Sequence, residues 1–163
     1  MSRRLGNFAG FGVCVALMAY ALYVQHALFL DPCPLCIFQR LAVIALGIVF
    51  LIAGLHNPAA IGARVYAALI GLVSLAGIGV AARHVYIQHL PPDRIPACGA
   101  PLDQLLQFLP LKEVIAKVLH GDGECAKIDW TFLGLSMPNW VLIVLLVLGT
   151  AGVWNNLRRQ RTV

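Results

Sequence analysis

Two cysteines separated by two residues, Cys33-Pro34-Leu35-Cys36, are followed four positions later by Arg40. A CxxC serves two chemistries, metal ligation and dithiol–disulfide exchange. A structural zinc site usually draws on a second close pair of ligands. The other candidates, Cys98 and Cys125, are 27 positions apart, so no metal is expected and the redox reading is preferred. The CxxC stands where an apolar helix should begin. A helix N-terminus carries partial positive charge and stabilises a thiolate. Arg40, one turn beyond Cys36, falls on the same helix face. An arginine at that depth is costly without a task. The bland alternative is a stem lying in lipid with its head at the interface.

Cys98 follows Pro96-Ala97 and precedes Gly99, while Cys125 follows Gly121-Asp122-Gly123. Such turn-forming surroundings predict exposed, mobile segments for both. An inert disulfide closing the loop would contribute roughly 3–4 kcal/mol by chain entropy. An exposed disulfide in a flexible loop is equally suited to exchange. The residues alone leave both open. Cys14 lies inside an apolar run and reads as a buried apolar residue.

The elements that must hold these residues are membrane helices. Of 163 residues, 60% are hydrophobic and 12% charged, against about 25% charged in a soluble domain. Four apolar runs, about Phe8 to Leu30, Ile37 to Leu55, Val65 to Ala82 and Trp140 to Trp154, are each near the ~20 residues that cross a bilayer. The expected fold is all-α, a single four-helix transmembrane domain over residues 1–163 with no internal repeat. Arg3 and Arg4 before an apolar core suggest a signal peptide, but the core is too long, so a retained span is expected.

Charge orients the bundle. Arg3, Arg4, Arg64, Arg158, Arg159 and Arg161 fall at the termini and in the loop between the second and third runs. All seven acids, Asp31, Asp93, Asp103, Glu113, Asp122, Glu124 and Asp129, fall on the other side. Positive segments stay in the cytoplasm. Both termini are therefore expected inside, with a short outer loop around Asp31 to Cys36 and a long one from about His84 to Pro138. Cys33, Cys36, Cys98 and Cys125 all lie in outer segments, where an oxidising compartment permits disulfides. The net charge of +5 is not that of a nucleic-acid groove, since no aromatics alternate with the arginines. Within the long loop, Leu111, Val114, Ile115, Val118 and Leu119 recur at helical spacing. They predict a short amphipathic helix, Leu111 to His120, ended by Gly121 and resting either on the membrane surface or on the loop.

On these motifs the chain resembles the DsbB family of disulfide bond formation proteins over nearly its whole length. The carriers are Cys-Pro-Leu-Cys-Ile-Phe-Gln-Arg at 33–40 and, beyond Cys125, Trp-Thr-Phe-Leu-Gly-Leu-Ser-Met-Pro-Asn-Trp at 130–140. The resemblance implies a thiol oxidase of the bacterial inner membrane that reoxidises a periplasmic thioredoxin-fold, DsbA-like dithiol oxidase. Its electrons would go to a membrane quinone, either ubiquinone or menaquinone. Cys98 would form the mixed disulfide with the partner and Cys125 would resolve it. Cys33 would exchange with the second loop, and Cys36 would face the quinone. The resting pairs would be Cys33–Cys36 and Cys98–Cys125, with a bridge from Cys33 to the second loop only in turnover. Arg40 would hold the quinone oxygen or the Cys36 thiolate, and His84 would match the quinone-site histidine. The stretch from His84 to Cys98 is one residue longer than in the best-known member, which leaves His89 a competitor.

Two rivals differ testably. An enzyme of the vitamin K epoxide reductase type carries its CxxC late in the chain, not after the first span. A membrane scaffold with a structural loop disulfide would not speed the reduction of quinone by a dithiol.

Overall fold

Proline fixes φ near its helical value and lacks only an N–H that the first turn leaves unused. Pro34 accordingly opens a helix directly on Cys33, whose sulfur accepts the Cys36 backbone N–H. In the computed structural model, which describes residues 2–95, 107–121 and 123–158, four long helices carry the chain. They are α1 (Arg3–Ala27), α2 (Pro34–His56), α3 (Ala60–Gln88) and, after a long connection, a fourth over Met137–Leu157. Each is long and apolar enough to cross a membrane. Between α3 and the fourth lie α4 (Leu111–His120), the single turn α5 (Gly123–Ala126), and strands β1 (Thr131–Phe132) and β2 (Leu135–Ser136). The fourth long helix is therefore α6.

The helices outrun the apolar stretches. α3 continues through Arg83 to Gln88, beyond the predicted end at Ala82, because helix persists through the interface where hydropathy falls. α1 starts at Arg3 under a Ser2 cap that accepts from Leu5 N–H, and it ends at Ala27, short of Leu30.

The bundle closes as a ring in which α1 packs on α2, α2 on α3, α3 on α6 and α6 on α1. Lipid gives apolar helices no reason to associate, so close backbone approach carries the packing. The buried ring of Phe50 shows how: a Cβ on Gly152 of α6 would sit 2.6 Å from it, and one on Gly10 of α1 would sit 3.0 Å away. Phe50 joins Cys14, Val43, Leu46, Ile70, Leu145 and Leu148 in the central core. Cys14 is thus the buried apolar residue expected.

At the end away from the CxxC the glue is polar. Asn7 and Asn156 exchange amide hydrogen bonds of 3.2 and 2.9 Å while fully buried. Arg3 donates to the Pro58 and Arg158 carbonyls, joining α1, the α2–α3 turn and the end of α6. Asn156→Leu should strand the Asn7 amide NH2, while Asn155 still donates to the Asn7 Oδ1, and lower stability by about 1 kcal/mol. The double change Asn7→Leu/Asn156→Leu should recover most of it, because neither amide is then left buried alone. Unfolding in a titration of denaturing detergent, with a double-mutant cycle, checks both.

α4 has the predicted bounds and ends at Gly121, φ +83°. Of the two settings left open, it packs on protein: Val114 and Val118 are buried against Leu35 of α2 and Ile87 of α3. Arg83 anchors its end by donating to the Leu119 and His120 carbonyls. Leu111, Ile115 and Leu119 remain exposed. The β1–β2 hairpin was not expected within an all-α chain. Its turn holds Leu133 at φ +51° and Gly134 at φ +77°, the left-handed pair a two-residue hairpin needs. Ser136 ties it to α3 by donating to Gln88, and Trp140 donates to the Phe132 carbonyl.

Candidate functional site

The first turn of α2, the C-terminal end of α3 and α5 converge on one point. Cys33 Sγ lies 3.2 Å from Cys36 Sγ, a contact between two thiols. His84 reaches in from α3, with Nε2 3.8 Å from Cys33 Sγ and Nδ1 4.0 Å from Cys36 Sγ. Cys125 comes from α5: the ligating atoms of Cys33, His84 and Cys125 all lie within 4.8 Å of one another.

This corrects one expectation. Cys125 is not on an exposed, mobile segment; it is 0% exposed. Gly123 and Glu124 start a helical turn that folds Cys125 under α4, where Leu35, Ile87, Val114 and Val118 enclose it. Its backbone takes part as well, since its carbonyl lies 3.0 Å from His84 Nε2. That oxygen can only accept, so Nε2 carries the proton and Nδ1 is the acceptor. Nδ1 in turn lies 3.0 Å from the Gln39 amide nitrogen, which donates to it. The histidine is thereby held on both nitrogens, and its ring is 2% exposed.

His89 is excluded from this cluster. It is exposed, and its Nδ1 bonds the Val85 carbonyl one turn back, at 2.8 Å. Of the two histidines that competed on sequence, His84 is the one beside the cysteines. Cys98 lies outside the described residues.

A cavity of about 180 Å³ opens from this cluster toward the bundle. Cys36, Gln39, Arg40 and His84 line one end, and Leu17, Val24 and Val144 are among its apolar walls. Arg40 does not trail into lipid. It donates to Gln25 Oε1 and to the Ala21 carbonyl, both on α1, which fixes a half-buried guanidinium at the cavity. Donors at one end and an apolar enclosure suit a flat ligand with carbonyl oxygens and a greasy body. A quinone has that shape and polarity, so these residues fit one.

Sequence reading missed Gln39 and Gln25. Gln39 lies within the quoted 33–40 motif yet had no role, and Gln25 was one more residue of an apolar span. The only available signal was an amide amid apolar neighbours, which is expensive unless paired.

Comparison with known proteins gives a concordant result. The family model described as "Disulfide bond formation protein DsbB" matches residues 3–155. A protein of Nitrosococcus oceani named "Disulfide bond formation protein B" is 49% identical over 154 residues, covering 94% of this chain and 91% of that protein. Proteins of the same name from Acinetobacter baumannii and Acinetobacter baylyi are 52% and 54% identical, covering 86% and 90% of this chain and 83% and 86% of their own lengths.

Proposed function

The chain belongs to the DsbB family of membrane disulfide bond formation proteins, and on that premise we propose that it relays two electrons from a periplasmic thioredoxin-fold dithiol, of the DsbA type, to a membrane quinone. The observation that carries the reading is the placing of three sulfurs, Cys33, Cys36 and Cys125, around His84 at the mouth of an apolar cavity that Arg40 lines.

The proposed relay is a chain of thiol–disulfide exchanges. The partner's thiolate opens the Cys98–Cys125 disulfide at Cys98, forming a mixed disulfide and releasing the Cys125 thiolate. The partner's second thiol, and not Cys125 as the resemblance implied, resolves that mixed disulfide, because attack by Cys125 would only return the partner reduced; the partner leaves oxidised. Cys125 attacks Cys33, and the Cys33–Cys36 bond breaks toward Cys36. Cys98 then restores the second-loop disulfide by attacking Cys125, which leaves Cys33 reduced beside the Cys36 thiolate. The N-terminal end of α2, with Cys33 at its cap, favours negative charge on these sulfurs. The bound quinone supplies the sink for two electrons and two protons, which reforms Cys33–Cys36. Arg40 orients it and offsets the charge it acquires, and His84, held by Gln39 and Cys125, sits between the sulfurs as the proton-handling group. Overall, one partner dithiol becomes a disulfide and one quinone becomes a quinol.

The direct test is quinone reduction by purified protein, driven by a reduced thioredoxin-fold oxidase. One quinone reduced per partner disulfide formed is the expected result. A rate no greater than without the protein overturns the reading.

The orientation follows the same proposal: an inner-membrane protein, both termini cytoplasmic and both cysteine loops periplasmic. Alkaline phosphatase fused after Cys98 should be active, and fusions after His56 or Arg158 inactive. An active fusion after His56 reverses the topology.

A further inference from the structure

The spacing of the cysteines along the chain argues against a metal, but the fold supplies what the spacing lacks. His84 arrives 51 residues after Cys33, and Cys125 arrives from the second loop. Bonds of about 2.3 Å to sulfur and about 2.0 Å to nitrogen set the edges of a tetrahedral zinc site at roughly 3.5–3.8 Å. The Cys33–His84 edge is 3.8 Å, and all edges of the Cys33, His84, Cys125 triad are within 4.8 Å. Closing that triad on an ion needs shifts of about an ångström or less at the side-chain ends. Cys36 Sγ, 3.2 Å from Cys33 Sγ and 4.0 Å from Nδ1 of His84, stands beside the triad.

We propose that the fully reduced protein binds one soft divalent d10 cation, zinc or cadmium, through Cys33, Cys125 and His84, with Cys36 completing the tetrahedron. Thiolate and imidazole are the ligands this class of ion selects. The thiols lose their protons as the ion enters, and no electrons move. Nε2 of His84 gives up its hydrogen bond to the Cys125 carbonyl and becomes the ligand. Nδ1 then carries the proton, and Gln39 accepts it by presenting its amide oxygen in place of its NH2. A ligating histidine ordinarily has such an outer partner, and Gln39 is already 3.0 Å away. The apolar packing of Leu35, Ile87, Val114 and Val118 around Cys125 excludes competing water.

The site exists only in one redox state. A Cys33–Cys36 disulfide leaves no thiolate at two corners, so oxidation expels the ion. Bound metal in turn withholds Cys33 and Cys125 from exchange, a consequence that rests on the function proposed above. Binding itself does not.

The experiment is zinc titration of the purified, fully reduced full-length protein against a chromophoric chelator, without oxygen. Parallel cadmium titration reads thiolate–metal charge-transfer absorption. One equivalent is expected for the reduced protein and none after oxidation. His84→Ala and Cys125→Ser should each weaken binding by on the order of 100-fold, while Cys14→Ser and Cys98→Ser should retain it. The proposal is overturned if reduced protein binds no more than oxidised protein. It is equally overturned if affinity survives both His84→Ala and Cys125→Ser, since the ion would then sit on the CxxC alone. Because the redox comparison needs no variant, misfolding of a variant cannot mask the answer. One equivalent bound with unimpaired partner-driven turnover would leave the metal site standing and count against the proposed roles of Cys33 and Cys125.

Discussion

Arg40→Leu is expected to lower kcat/KM for quinone by about 10- to 150-fold while leaving formation of the mixed disulfide between Cys98 and the partner unchanged. The magnitude is that of one charge-assisted hydrogen bond, about 1.5–3 kcal/mol, at about 1.4 kcal/mol per factor of ten. The structure gives the arginine a fixed pose for this work. Two of its donors go to neutral acceptors on α1, Gln25 Oε1 and the Ala21 carbonyl. The guanidinium has five donors, so others remain for the cavity it lines, and neither α1 acceptor neutralises its charge. Charge of the opposite sign developing in that cavity is therefore met by a preorganised cation. Arg40→Lys keeps the charge but cannot reproduce the planar fork, so it should fall between wild type and leucine, mainly through a raised Michaelis constant for quinone. Steady-state kinetics with varied quinone separate these outcomes, run beside a trapping assay in which the free Cys98 thiol of a Cys125→Ser background attacks the disulfide of oxidised partner. An unchanged quinone dependence in Arg40→Leu would make Arg40 a structural tie to α1 and no more. Loss of trapping with quinone reduction spared would exchange the two ends of the relay.

The parts of this site that sequence reveals are those written in local chemistry. Pro34 after Cys33 announces a helix start, and the structure caps α2 on that cysteine. The apolar runs give four membrane helices. The period of Leu111, Val114 and Val118 gives α4. What failed depends on contacts between distant segments. Turn formers around Cys125 promised exposure, yet burial of Cys125 comes from α4 folding over it, and no local residue encodes that. The choice between His84 and His89 turned on where α3 ends. Five residues on a helix rotate by about 140°, so the two histidines point to different faces, and only the one facing α2 meets Gln39. The β1–β2 hairpin is too short to show alternation, and a leucine at φ +51° is not a residue that advertises a turn. The interlocked Asn7 and Asn156 pair residues 149 positions apart, a distance that inspection of one sequence does not bridge.

Cys125→Ser should abolish partner-driven quinone reduction and spare quinone reduction by a small dithiol. The two halves of this expectation come from one geometric fact. Cys125 sulfur lies in the same cluster as Cys33, all ligating atoms within 4.8 Å, so it is placed to pass a disulfide between the two loops. A serine hydroxyl is a poor nucleophile at neutral pH and cannot take part in disulfide exchange. With no Cys98–Cys125 disulfide left to open, the reduced partner finds no acceptor at the second loop, and the free Cys98 thiol can join the partner only by attacking the disulfide of already oxidised partner. A small dithiol needs no second loop. It can reach the Cys33–Cys36 pair, which is only half-buried, and Cys36, Arg40 and the cavity are untouched by the change. Serine is close to isosteric with cysteine, so the packing of Leu35, Ile87, Val114 and Val118 should hold. The control is Cys33→Ser, which should abolish both reactions because every route to Cys36 passes through its partner in the CxxC. Partner-driven turnover surviving in Cys125→Ser would mean that Cys98 reaches Cys33 directly and that Cys125 serves the fold. Loss of the small-dithiol reaction as well would place the Cys125 sulfur in the quinone end of the relay, through its place beside Cys33 and His84, and the two-loop division of labour would have to be redrawn.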